Sequence, residues 1–343
     1  MKRAAVIVGL LMVGAAIAGC LEKKEEFTLN PDGSGKVVHE SIVAMPMMQM
    51  GDQKPDLANE SRKIAKMTLD GSEGVEAWSD LVCDTTEDGR LRFRGTAYFK
   101  DLAKLKLAQS EDKISFAKDP KGGMVLTLEM GNKEEKDPAE PKPKPPATPP
   151  TEEQITAQIQ QARAGYTMQK AMMGTILGKM KVESSFRLPG TLAETSGFQK
   201  TPEGCVRIMV DGAAMMKAMD EVMADDASLR KAILAGEDIS KGPQGDLMTD
   251  KLFGKGPMKA RTTGDLKPLF DFAAESQAAK AAYPEAVKKL GLDKIEGGMM
   301  PMMPMPPGGP GAPPAPAAPA APAALAVPAA PAAPAVPAAP AAK

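Results

Sequence analysis

Alternation of apolar and polar residues with a period of two dominates the first third of the chain. Two strand-like runs, residues 26–30 and 36–43, flank Pro31-Asp32-Gly33. Pro pre-sets φ, Asp caps its own turn and Gly takes positive φ, so the pattern predicts a β-hairpin. Residues 45–56 read as a Met- and Pro-bearing loop. Residues 57–69 place Leu57, Ile64 and Met67 on one side, which predicts a short amphipathic helix. A second strand pair is expected over residues 75–99, around the turn Glu87-Asp88-Gly89. On its exit strand Leu91, Phe93, Ala97 and Phe99 share one face, while Arg90, Arg92 and Arg94 share the other. On its entry strand Leu81 and Cys83 fall on one face, and Asp80 and Asp84 on the opposite one. If Thr86 stands opposite Arg90, then Asp84 faces Arg92 and Cys83 faces Phe93. Asp101 is placed to cap a short helix through Leu107. In a third hairpin Ile114 and Phe116 alternate inward, residues 118–123 turn, and Met124, Leu126, Leu128 and Met130 alternate inward again. One apolar and one wet face is the signature of an antiparallel sheet, so residues 20–132 predict a β-meander with small helices interposed.

The pattern changes at residues 133–150, where Lys-Pro and Pro-Pro steps predict a stiff, extended linker. Thr151-Glu152-Glu153-Gln154 is a capping-box pattern. Ile155, Ile159, Ala162 and Tyr166 follow at helical spacing, so a helix is expected to about Gly178. Residues 180–210 return to strand character, with a strand ending in the Leu188-Pro189-Gly190 turn and another over residues 205–210. Helices are predicted over 213–223 and 226–234, the second capped by Asp225 or Asp226. Residues 236–264 read as mostly loop, with a short strand at 258–262. A helix over 266–282 would bury Leu269, Phe270, Phe272 and Ala273, and Pro284 would start a further turn ending at Gly291. Residues 297–343 are Met-Pro-Gly and then Ala-Pro repeats, which cannot bury apolar surface in a unique packing; a disordered, extended tail is expected. The fold class is therefore α+β: a β-rich region at 20–132, a Pro-rich linker at 133–150, an α+β region at 151–296 and the tail. Residues 86–93 echo residues 201–208, and shared turn chemistry explains so short a match as well as duplication does.

The N-terminus adds an address. Lys2 and Arg3 precede an apolar run from Ala4 to Ile17, and Ala18-Gly19 precede Cys20. A basic start, a short apolar core and a small-residue cleavage site form the layout of a secretory signal peptide. With the cysteine directly after, Ile17-Ala18-Gly19-Cys20 resembles the lipobox of bacterial lipoproteins. The resemblance implies removal of residues 1–19, thioether lipidation of Cys20 and a lipid-anchored, extracytoplasmic protein carrying palmitate-like chains. Leu21 is not the aspartate associated with inner-membrane retention in enteric bacteria, so the outer membrane is favoured. Residues 21–25 read as a charged tether. The full chain holds 43 basic against 44 acidic residues, a net charge of −1. Loss of Lys2 and Arg3 leaves −3. A balance so near neutral argues against an electrostatic nucleic-acid partner.

Candidate chemistry is sparse. Export places Cys83 and Cys205 in a disulfide-permissive compartment, so they are either a candidate disulfide or two separate buried thiols. The Arg90, Arg92, Arg94 stripe is an anion-binding face or, the favoured reading, a solvated face with cross-strand charge pairs. The single histidine, His39, is expected to be a satisfied surface or hairpin residue, and alone it supports neither a zinc site nor a triad. Asp32-Gly33-Ser34-Gly35 lacks the downstream glutamate of a calcium loop. Nucleophile-elbow, Walker and dinucleotide-binding glycine patterns do not occur, and no cofactor is implied. Met299, Met300, Met302, Met303 and Met305 are thioether candidates for Cu(I), against a reading as low-complexity drift. Phe27-Thr28-Leu29-Asn30-Pro31-Asp32-Gly33-Ser34-Gly35, just after the lipid cysteine, and the Leu188-Pro189-Gly190 turn resemble an LppM-type bacterial lipoprotein family. That resemblance implies an extracytoplasmic β-rich domain on a lipid anchor and no active site. The function expected is a membrane-anchored, non-catalytic envelope lipoprotein that binds an envelope protein, a lipid or a cell-wall component. The alternatives are a structural spacer using the Ala-Pro tail and a hydrolase built on carboxylates alone.

Overall fold

A computed structural model describes residues 21–44, 56–107, 113–129, 150–236, 239 and 246–295. The chain is an α+β protein. Its strands are β1 (Leu21–Leu29), β2 (Gly35–Val43), β3 (Val75–Thr85), β4 (Leu91–Phe99), β5 (Lys113–Lys118), β6 (Met124–Glu129), β7 (Lys181–Arg187), β8 (Thr191–Ser196), β9 (Gln199–Lys200), β10 (Val206–Asp211) and β11 (Met258–Thr263). Its helices are α1 (Leu57–Asp70), α2 (Glu152–Leu177), α3 (Gly212–Ala224), α4 (Asp226–Leu234), α5 (Asp246–Phe253) and α6 (Phe272–Leu290). The predicted hairpins form where the alternation places them, and they are shared between two sheets. The larger runs β3-β4-β2-β1-β7-β10-β9 and the smaller β5-β6-β11-β8. Each sheet thus takes strands from both sides of the Pro-rich segment. Pairing is antiparallel except at β1–β7, which are parallel with Phe27 opposite Phe186.

Turn chemistry explains the first hairpin. Asp32 Oδ1 accepts from the Ser34 N–H at 3.0 Å and from its hydroxyl at 2.7 Å, while Gly33 takes φ +89°. In the second hairpin Asp84 stands opposite Arg92 and Cys83 opposite Phe93, the register read from the sequence. A one-residue bulge between Ser79 and Val82 carries Asp80 at φ +53°. The extra residue turns both Trp78 and Leu81 into the core, and Gly95 leaves them room. A Cβ there would lie 2.9 Å from Leu81 and 3.1 Å from Trp78.

The two sheets share one core. Phe27, Leu29, Val37, Phe93, Phe99, Phe186 and Val206 from the larger sheet meet Leu126, Leu128, Met258 and Ala260 from the smaller. Helix α1 adds Ala65, and Ser61 donates to the Asp84 and Arg92 carbonyls. A second core joins α2 to α5 through Ile155, Ile159, Tyr166, Leu177, Met219, Val222, Leu229 and Met248. The capping box forms as expected: Thr151 Oγ1 accepts from the Gln154 N–H, and the Gln154 side chain accepts from the Thr151 N–H. Helices α2 and α3 meet where they join the sheet. A Cβ on Gly212 would sit 1.6 Å from the Leu177 carbonyl oxygen. Gly212→Ala is therefore expected to cost about 2–3 kcal/mol through backbone displacement. An unchanged urea midpoint for this variant would show that the joint has slack.

Several expectations change. Residues 21–25 are not a tether but the first half of β1, paired with β2 on one side and β7 on the other. After Asp101 a single 3₁₀ turn, Leu102–Lys104, forms in place of a helix through Leu107. Residues 246–253 form α5 inside the expected loop. The last helix starts at Phe272, because Asn30 holds the preceding segment extended. The buried Asn30 side chain accepts from the Leu269 N–H at 2.8 Å and donates to the Phe270 carbonyl at 3.2 Å. Asp271 then caps α6, which continues through Pro284 to the left-handed Gly291. Ser276 and Ala279 are its buried residues; of the four residues expected to be buried, Phe270 and Phe272 are half-buried against Ala77, Tyr98 and Ala279, while Leu269, ahead of the helix, and Ala273 are exposed. Met130, most of the Pro-rich linker and the tail lie outside the described residues. Among the described residues no helix is long and apolar enough to cross a membrane.

Candidate functional site

The inward face of β1 carries Lys23, Glu25, Phe27 and Leu29 by period-two alternation. Two charged residues therefore point toward the core. Register places Glu25 between His39 on β2 and Ser184 on β7. Glu25 is only 7% exposed and His39 only 3%. Glu25 Oε1 lies 2.8 Å from Lys23 Nζ and 3.3 Å from His39 Nδ1, and Oε2 accepts from the Ser184 hydroxyl at 3.0 Å. Burial pushes the Glu25 carboxyl upward. The Lys23 charge, then the His39 hydrogen bond and charge, outweigh it and hold the group at about 2. Glu25 is thus a buried, ionised carboxylate with both oxygens engaged by partners. His39 packs against Phe93, so it is a core residue rather than the surface or hairpin residue expected.

Beside the cluster lies a cavity of about 70 Å³, bounded by Glu25, Ser184, Phe27, Leu102, Leu128 and Ile208 among others. Small-molecule pockets begin at roughly 300 Å³, so this space suits a few water molecules beside a polar edge. Among the described residues its lining holds one carboxylate, Glu25. The arrangement can hold charge in an apolar setting.

The other candidates separate. Cys83 and Cys205 are free thiols. They belong to strands β3 and, just before its start, β10, five strand spacings apart in the larger sheet. At about 4.8 Å per spacing that is roughly 24 Å, beyond any disulfide. Burial pushes the Cys83 thiol up. Arg92 makes two hydrogen bonds to Asp84, at 2.8 and 2.6 Å, and Arg90 pairs with Glu22 and Asp88. Two members of the arginine stripe are therefore engaged within the protein, while Arg94 is exposed. Cys20 and Met299, Met300, Met302, Met303 and Met305 lie outside the described residues. Lys23, Glu25 and Ser184 were not singled out in the sequence. Extending the alternation of Phe27 and Leu29 backwards by two steps is the signal that finds the first two.

No protein-family model and no curated protein sequence matches the chain. Among solved structures, the folded domain of LppM from Mycobacterium tuberculosis, determined by NMR, is similar at 13% identity and a TM-score of 0.26. The match covers 72% of this chain and 92% of that one, a similarity too loose to assign fold details or function.

Proposed function

We propose that the protein is a non-catalytic lipoprotein of the cell envelope, anchored through acyl chains on Cys20, that presents a rigid binding module directly at the bilayer surface. One observation carries this reading. β1 begins at Leu21, the residue after Cys20, and is paired along both edges within the larger sheet. Consecutive Cα atoms are about 3.8 Å apart, so no flexible spacer separates the anchor from the body. The start of β7 and the end of β10 lie at the same end of the sheet, since Glu22 pairs with Lys181 and Lys181 with Asp211. The Glu25 carboxylate, buried and with both oxygens paired, supports a structural charge rather than a reacting one. The partner is an envelope protein, a lipid or a cell-wall component within reach of that surface.

Two or more acyl chains give stable anchoring, at about 0.8 kcal/mol per buried methylene. The test compares the native chain with Cys20→Ala. The native chain is expected to incorporate labelled palmitate, lose residues 1–19 and fractionate with membranes. The variant is expected to take up no label and retain its leader. A native chain that takes up no label, or whose mass shows an unmodified Cys20, overturns the anchor.

A further inference from the structure

The exposed face of α2 carries an apolar stripe with no role inside the fold. Ile155, Ile159, Ala162 and Tyr166 of this helix are buried in the helical core. On the opposite side Met168 is 84% exposed and Met172 60% exposed. One turn apart, they stand on the same face with Ala164, Ala171 and Thr175, all uncharged. The helix ends at Leu177, four residues before Lys181, which pairs with Glu22, two residues from Cys20. At 1.5 Å per residue, Met172 and Met168 lie about 8 and 14 Å from that end of the helix. The stripe therefore belongs to the end of the molecule from which the anchor emerges.

Charge points the same way. From Gln154 to Val182 there is no Asp or Glu, and Arg163, Lys170, Lys179 and Lys181 are all basic, in a chain that is otherwise balanced. Arg163 and Lys170 are paired to Asp226 and Asp220 on the inner side of the helix, and Lys181 to Glu183. Lys179 is exposed. A helix face with protruding methionines and no acidic residue fits the interface of an anionic bilayer, where apolar side chains enter and lysines remain at the headgroups.

We propose that the second half of α2 lies against the bilayer, with Met168 and Met172 inserted beside the Cys20 anchor. This rests on the lipoprotein reading above. It makes α2 a second membrane contact that fixes the orientation of the body, so that the protein sits on the membrane at a set angle instead of pivoting about one point.

The test is methionine oxidation by a pulse of peroxide, read by peptide mass, on the full acylated chain in vesicles of phosphatidylethanolamine and phosphatidylglycerol. Met67 on α1, 52% exposed, is the internal reference. It lies near Asp70, toward the Val75 end of β3, which register places away from the β1 start. Burying one methionine favours the buried state by a factor of about ten or more, so Met168 and Met172 are expected to oxidise about tenfold more slowly relative to Met67 than in a chain made from residue 21 onward, without leader or acyl groups, in buffer. Met168→Asp/Met172→Asp in the acylated chain is expected to stay membrane-bound but to lose the fixed orientation, read as restored proteolysis of α2. Equal oxidation ratios in an acylated chain overturn the α2 contact and leave the anchor intact. A mass showing no acyl group overturns the anchor and this contact with it. Protection already present without vesicles, together with a dimeric mass, assigns the stripe to a second copy and also overturns the proposal.

Discussion

Phe186→Ala is expected to cost about 4 kcal/mol of folding stability, the middle of the range for removing a buried aromatic ring. Phe186 is fully buried. Its ring stacks on Phe27 at 4.7 Å between centroids and meets Phe198 edge-on at 5.9 Å. Phe27 in turn touches Phe99 at 6.4 Å, so the ring is one link in an aromatic row across the larger sheet. Phe186 also stands at the parallel β1–β7 seam, where the first and second halves of the chain are joined. Truncation would open a void continuous with the cavity beside Glu25, and void volume adds to the loss of transfer free energy. Phe186→Leu keeps most of the volume and is expected to cost less than about 1.5 kcal/mol. Urea unfolding of the two variants checks both values. A loss below about 2 kcal/mol for the alanine variant would mean that the seam collapses around the missing ring.

The second large effect is expected at Glu25. Glu25→Gln keeps the shape and removes the charge that Lys23 and His39 share. Breaking a buried ion pair from one side costs about 3–5 kcal/mol, because the remaining charge stays in place without its partner. The pH dependence gives an independent handle. The folded-state group sits at about 2, against 4.5 in a free chain. The folded pKa is depressed, so this group's contribution is fully present above about 4.5 and is lost as pH falls toward 2. The difference corresponds to about 3 kcal/mol. The native protein is therefore expected to lose stability between pH 5 and pH 2 more steeply than Glu25→Gln. Matched urea midpoints at pH 7 and pH 3 measure it. If both proteins lose the same amount, the acid limb belongs to other carboxylates and the cluster carries little.

Local chemistry was legible in the residues. Pro31-Asp32-Gly33, Glu87-Asp88-Gly89 and the Thr151–Gln154 capping box each specify a turn or cap through neighbouring atoms, and each forms. The Asp84–Arg92 register follows from counting back from one turn. Non-local pairing was not legible. Nothing in residues 22–28 announces that residues 181–187 will lie alongside, because side-chain alternation states which face is apolar and not which strand comes next. The start of β1 was hidden for a related reason. Lys23 and Glu25 look like solvent-facing residues, and Glu25 becomes buried, with Lys23 half-buried beside it, only because His39 and Ser184 arrive from two other strands. The last helix starts later than its apolar pattern predicts: Leu266, Leu269 and Phe270 continue that pattern, while Asn30, more than two hundred residues earlier, binds their segment in extended form. The candidate site shares this fate: its members come from three strands, and only their meeting makes them notable.

The flanking of β1 by two partners has a consequence for biogenesis. As the chain emerges N-terminus first, β1 and β2 can close within a few dozen residues, but β7 follows about 150 residues later. Until then one side of β1 is an open strand edge, the kind of surface that recruits other unfinished chains. Strands that must wait for distant partners fold slowly, since chain closure is lost entropy before any contact offsets it. Lys23 and Glu25 sit on that waiting edge, and inward-pointing charge is a known deterrent to intermolecular pairing. The same carboxylate that is ion-paired in the finished sheet would then guard the nascent one against aggregation.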